Sequence, residues 1–177
     1  KSLFLVESTK IPGGEGGIMS AQLIDGKAIS AAVRAEVKAR TAEFSARTGV
    51  QPCLAAVLVG EDPASRVYVR NKGKACVEAG MLSRQIELPA STSEQELLDL
   101  VESLNADDSV HGILVQLPLP DQIDESKVIE AISPDKDVDG FHPVSAGRLL
   151  AGQPGFVACT PYGIMKMLDY EKVDIKG

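Results

Sequence analysis

Tyr68 and Lys72 stand four residues apart, a spacing that puts two side chains on one face of a helix. The tyrosine offers a flat ring with a phenol and the lysine an amine, a pair able to stack a planar substrate and move a proton. A half-buried tyrosine beside a surface lysine is the plainer account of the same spacing, and spacing alone does not choose between them. Arg66, Arg70 and Lys74 crowd the same stretch and read as a solvated basic face. Gln116 ends an apolar run, where its carboxamide could read a donor–acceptor edge on a ligand or bond the backbone. Asp135, Asp137 and Asp139 alternate before Gly140. A calcium loop would need a further Glu ligand and wider spacing, so one aspartate aimed at a ligand's N–H groups is the better account. His111 and His142 are the only histidines and read as structural. The chain has no G-x-G-x-x-G, Walker loop, G-x-S-x-G or H-E-x-x-H, which removes the usual signatures of dinucleotide binding, P-loop chemistry, serine hydrolysis and zinc proteolysis.

These residues need elements to position them. Residues 26–48 carry Ile29, Val33, Val37 and Phe44 at helical spacing, with Gly49 as a stop. Residues 53–59 form a continuous apolar run, the pattern of a parallel strand covered on both faces. Asp62-Pro63 then opens a helix, aspartate as cap and proline at the first helical position, running to about Ala79 and Gly80. A second strand is predicted over 84–88, and a helix from the capping-box pattern Ser93-x-x-Glu96 through Leu97, Leu98, Val101 and Leu104. A third strand is predicted over 111–116, short helices over 125–132, 144–150 and 161–170, and a loop over 133–143. Strand–helix–strand–helix–strand order predicts an α/β fold: a three-layer parallel sheet with flanking helices. Ligands bind beyond the carboxyl ends of such strands, here near Gly60, Leu88 and Gln116.

Composition narrows the class. The 177 residues hold 18 Lys+Arg against 25 Asp+Glu, a formal charge of −7, with 44% hydrophobic and 24% charged residues, as expected of a globular chain rather than a disordered one. The acidic balance disfavours nucleic acid, and no apolar run approaches the roughly 18 residues of a membrane span. Cys53, Cys76 and Cys159 form no C-x-x-C pair and are expected to be reduced, buried thiols, with no metal site.

Residues 61–72, followed by Lys74-Ala75-Cys76, together with 112–120, 134–143, 146–149 and Cys159-Thr160-Pro161, resemble in order the motifs of the bifunctional methylenetetrahydrofolate dehydrogenase/methenyltetrahydrofolate cyclohydrolase family. The resemblance covers about Met19 to Gly177. It implies Lys72 as the catalytic lysine, Tyr68 as the ring that packs on the pterin, and Gln116, flanked by Val115 and Leu117, as the group that orients Lys72 and borders the folate. It further implies Asp139 as the carboxylate gripping the pterin's amino and ring N–H groups, with Ser65 in support. Ser145 departs from the family pattern, which has Asn before Ala-Gly-Arg-Leu, and leaves open how that loop is bonded.

The implied activity is oxidation of 5,10-methylenetetrahydrofolate with NADP and hydrolysis of the 5,10-methenyl product to 10-formyltetrahydrofolate. That is cytoplasmic one-carbon metabolism serving purine biosynthesis, in a protein whose full-length relatives are homodimers. The expected layout is a leader or appended remnant over 1–18, a folate-binding catalytic domain over 19–150, and over 151–177 a connecting helix and the start of a cofactor domain. The NADP site itself is expected to lie outside this chain. Two other readings stay open: a non-catalytic folate-binding or interaction domain, and a lyase using Lys72 as a Schiff base.

Overall fold

The computed structural model describes residues 23–176; the expected leader, 1–18, and Met19 lie outside them. Asp25 opens α1 (Gly26–Thr48) by accepting from the amides of Lys27 and Ala28, and Gly49 closes it at φ 72°. Of the apolar positions predicted to face inward, Ile29 is buried, but Phe44 lies exposed and Thr41 takes the buried place. Thr41 can do so because its hydroxyl donates to the Val37 carbonyl, so no donor is stranded.

The strands β1 (Cys53–Val59), β2 (Leu82–Leu88) and β3 (Gly112–Val115) form a parallel sheet in the order β2-β1-β3. Cys53 pairs with Leu82 through to Val59 with Leu88, and Leu54 pairs with Gly112 through to Val57 with Val115. β2 starts two residues earlier than its hydrophobicity suggests, because the Leu82 amide donates to the Pro52 carbonyl and extends the pairing. Every β1 residue except Leu54 is buried, as a central parallel strand requires.

Helix α2 (Pro63–Glu78) covers one face, where Val69 packs with Ala56, Leu58 and Leu114. Helices α3 (Glu94–Ala106) and α4 (Glu125–Ala131) cover the other, where Leu97, Val101, Leu104 and Val128 meet Ala55, Val57, Val59, Ile113 and Val115. The result is the predicted three-layer α/β arrangement. Asp62 caps α2 by accepting from the Ser65 amide at 2.7 Å, and the Ser93/Glu96 capping box is complete. Helix α5 (Pro143–Leu150) follows the 133–143 loop, and α6 (Cys159–Tyr170) begins two residues before Pro161 and lies against α1. Among the described residues no helix is long and apolar enough to cross a membrane.

Candidate active site

The parallel register brings the ends of β1, β2 and β3 to one edge of the sheet, and α2 leaves β1 from that edge. Gln116 follows β3 directly, and its amide still donates to the Val57 carbonyl at 2.9 Å, so its backbone is fixed by the sheet. Its side-chain Nε2 donates to the Leu117 carbonyl at 2.7 Å. A carboxamide has one donating and one accepting end, so this bond commits Oε1 to the opposite direction. There it accepts from Lys72 Nζ at 3.3 Å. The next peptide, Leu117–Pro118, is cis.

Asp139 reaches this pair from the 133–143 loop. That loop is not free: Asp137 bridges Ile113 in parallel, and the Ile113 amide donates to the Lys136 carbonyl at 2.8 Å. It therefore runs beside β3 like the stub of a fourth strand, carrying Asp139 to the level of the strand end. Asp139 is half-buried, and among the described residues none donates it a hydrogen bond. Burial pushes its carboxyl above the ordinary aspartate value and Asp137 adds to this, while the nearby Lys72 charge opposes it. A carboxylate with unused lone pairs beside an amine suits a ligand presenting several N–H groups.

The three alternating aspartates separate completely. Asp135 is exposed and pairs with Arg148 at 3.3 Å. Asp137 is buried and accepts from the amides of Phe141 and His142 and, at 2.7 Å, from the Ser145 hydroxyl. Ser145 is thus the buried link between the loop and α5, which settles the bonding that the departure from Asn left open.

Val115, Leu117, Asp139 and Phe141 line one narrow crevice with residues of α4. Tyr68 lies one turn before Lys72 on α2 and is 61% exposed. Ser65 is buried at the start of α2, where its amide and then its hydroxyl hold the Asp62 carboxyl below the usual range; its visible work is in the helix cap. Both histidines have backbone partners within the fold, as the structural reading expects: Nδ1 of His111 accepts from the Cys53 amide and Nδ1 of His142 from the Val144 amide.

The cysteines need a correction. Cys53 is buried and Cys76 half-buried, but Cys159 is exposed. Its Sγ donates to the Val138 carbonyl at 3.7 Å. Partial burial, then the charge of Asp139, push its thiol up, and Lys72 opposes them. It therefore borders the cluster, a placement that Cys159-Thr160-Pro161 signalled only as a motif. A cavity of about 500 Å³ lined by Val37, Arg40, Phe44, Arg47, Pro52 and Met81 among others lies elsewhere and shares no residue with the cluster.

Comparison with known proteins follows the same lines. Residues 24–139 match the profile of the tetrahydrofolate dehydrogenase/cyclohydrolase catalytic domain. The chain is 61% identical over 159 residues to the bifunctional protein FolD of a Polaromonas species, covering 90% of this chain and 56% of that one. It is 57% identical over 157 residues to the FolD of Geotalea daltonii, covering 89% and 56%. Among solved structures it is similar to the bifunctional FolD enzyme of Campylobacter jejuni, with a TM-score of 0.85 and 48% identity over 88% of this chain and 55% of that one. It is also similar to the Trypanosoma brucei enzyme complexed with NADP and an inhibitor, with a TM-score of 0.84 and 35% identity over 89% and 54%. The chain spans about half the length of the curated relatives it matches.

Proposed function

Because the chain belongs to the tetrahydrofolate dehydrogenase/cyclohydrolase family, we propose that the Lys72–Gln116–Asp139 cluster binds a reduced folate and hydrolyses its 5,10-methenyl form to the 10-formyl form. The observation that carries this reading is Lys72 Nζ at 3.3 Å from Gln116 Oε1, with the Asp139 carboxylate, which no described residue hydrogen-bonds, near the amine.

The methenyl carbon is cationic and bonded to two nitrogens. Water adds to it, one of those C–N bonds opens to leave the formyl group on the other nitrogen, and a proton is released. Lys72 orders the attacking water or takes its proton, and Gln116 fixes the direction in which the amine points. Asp139 accepts from the pterin's amino and ring N–H groups, and Tyr68 packs its ring on the bicycle. Val115 and Leu117 form the apolar border, and Ser65 supports the helix end that carries Tyr68 and Lys72.

The same proposal places 19–150 as the folate-binding catalytic domain and 151–177 as the connection onward. For the whole protein it includes NADP-linked oxidation of 5,10-methylenetetrahydrofolate, homodimerisation, a cytoplasmic setting and service to purine biosynthesis. The sequence carries no G-x-G-x-x-G phosphate turn, so no residue of this chain is assigned to NADP.

The test is loss of methenyltetrahydrofolate absorbance with this chain, above the buffer rate, against Lys72→Met. Lys72-dependent hydrolysis supports the reading. Folate binding without hydrolysis would favour the non-catalytic alternative, and trapping of a carbonyl adduct on Lys72 by borohydride would favour the lyase.

A further inference from the structure

Lys136 is the most heavily engaged ammonium among the described residues. Its Nζ donates to three backbone carbonyls, those of Leu104 at 3.1 Å, Asn105 at 2.8 Å and Asp107 at 2.8 Å. These are carbonyls of the last turn of α3 and the residue beyond it, which have no partner within the helix and carry the negative end of its dipole. The Lys136 backbone carbonyl accepts from the amides of both Ile113 and Val138. One residue thus ties the end of α3, the middle of β3 and the segment leading to Asp139. Asn105 adds to the same junction, donating to the Ala131 carbonyl and accepting from the Ser133 amide.

We infer that Lys136 is a positioning residue for the ligand site: its clamp on α3 sets the height and register at which Asp139 faces Lys72 and Gln116. Among the described residues none hydrogen-bonds the Asp139 side chain, so its place is set by the backbone before and after it. The residues after it are held from Asp137, whose carboxylate accepts from the His142 amide and the Ser145 hydroxyl. Before it, the Lys136 side chain ties the segment to the end of α3. Lys72 sits on α2 and Gln116 just after β3, and the bonds that hold them, to each other, to Val57 and to Leu117, do not involve the Lys136 side chain. Loss of the clamp should therefore weaken ligand binding and spare the chemical step.

This inference rests on the reading of Asp139 as the carboxylate that grips the ligand, and the experiment separates the two. The dissociation constant of the 177-residue chain for tetrahydrofolate is measured by calorimetry for wild type, Lys136→Met, Lys136→Arg, Asp139→Ala and the Lys136→Met/Asp139→Ala double variant. Hydrolysis of 5,10-methenyltetrahydrofolate at saturation is measured alongside. Lys136→Met is expected to weaken binding about tenfold, the scale of coupling between residues that share one network, with kcat within about twofold of wild type. Lys136→Arg, which keeps donors for the three carbonyls, should recover most of the loss. In the Asp139→Ala background Lys136→Met should add nothing.

Unchanged binding in Lys136→Met while Asp139→Ala weakens it overturns the inference alone. So does full additivity in the double variant, or a fall in active fraction at unchanged dissociation constant, which marks a purely structural lysine. Unchanged binding in Asp139→Ala, or no binding by wild type, overturns the site reading and this inference with it. Should Lys136→Met not fold, Lys136→Gln is read in the same way, and failure of both to fold also overturns the positioning role.

Discussion

Lys72 and Gln116 lie 44 residues apart in sequence, and Lys72 Nζ stands 3.3 Å from Gln116 Oε1. Helix α2 brings one and the end of β3 the other, so the pair exists only because α2 packs over β1 and β2 and reaches the edge where β3 ends beside β1. Gln116 cannot turn away without giving up its bond to the Leu117 carbonyl. The lysine is held by a group that is itself held, the arrangement by which a fold fixes the geometry of proton transfer.

Lys72→Met is expected to lower methenyl hydrolysis by about 10²–10⁴-fold, the usual worth of a positioned acid–base group. Gln116→Ala should cost less, about a hundredfold at most, because it frees the amine without removing it. Circular dichroism and melting should match wild type for Lys72→Met, whose side chain is only half-buried. Hydrolysis within a few-fold of wild type by a folded Lys72→Met would remove the residue from the mechanism.

Asp139 gives the pH dependence its sign. Burial raises its carboxyl above the ordinary value of 3.8, so the folded chain holds that proton more tightly than the unfolded chain does. Its contribution to stability is complete below the unfolded value and is lost as pH rises through the folded one. Asp139→Asn cannot ionise and should melt above wild type at neutral pH, with the gap closing in acid. Binding runs the other way, since a ligand's N–H groups need the ionised form. Folate affinity should fall as pH drops through the raised value, and Asp139→Asn should flatten that limb. Equal melting temperatures at neutral pH would show that no desolvation penalty is stored at Asp139.

The fold was legible because its signals are local. Asp62-Pro63, the Ser93-x-x-Glu96 box and Gly49 each act within a few residues of themselves, and the caps appear where those residues stand. The run 53–59 could be read as a covered strand since every neighbour along it is apolar. Other features depend on what lies across the fold. Asp135, Asp137 and Asp139 are identical in type and evenly spaced, and their separate fates follow from Arg148 and Ser145 on α5 and Lys72 on α2. Val157 and Ala158 pass against Gly140, a contact no periodicity announces, and Cys159 next to them is exposed. Lys136 reads as one more surface charge until the end of α3 is seen above it. The candidate residues themselves were legible chiefly through family resemblance; spacing had singled out Tyr68 and Lys72 but could not supply their partner.

Ser145 is 1% exposed and donates to Asp137 Oδ2 at 2.7 Å. Ser145→Ala leaves a buried carboxylate oxygen with one donor fewer. Removing a donor from a buried acceptor costs about 1–3 kcal/mol, which for a chain of this size is a fall of roughly 2–4 °C in Tm per kcal/mol. Thermal melting checks it, and Ser145→Thr, which keeps the hydroxyl, separates the bond from the packing by the size of its own, smaller loss. No fall in Tm for Ser145→Ala would mean that the Phe141 and His142 amides satisfy Asp137 without the hydroxyl.

Gly140 stands at φ 68°, in the region that L side chains with a Cβ enter at a cost of about 1–2 kcal/mol. Space is a second constraint there. A Cβ at this position would lie 2.6 Å from the Ala158 nitrogen and 2.7 Å from the Val157 carbonyl carbon, both backbone atoms that no rotamer change can move aside. Gly140→Ala must therefore push the 157–158 segment away, and with it Cys159, whose Sγ bonds the Val138 carbonyl. Gly49 provides the control: it has a similar φ of 72° but nothing within 4 Å of the added carbon. Gly49→Ala should cost the backbone penalty alone. Gly140→Ala should cost more in Tm, and should also make Cys159 react faster with a thiol reagent, because the Val138 carbonyl no longer holds it. Equal losses in the two variants, with unchanged Cys159 reactivity, would mean that the loop bearing Asp139 yields without disturbing α6.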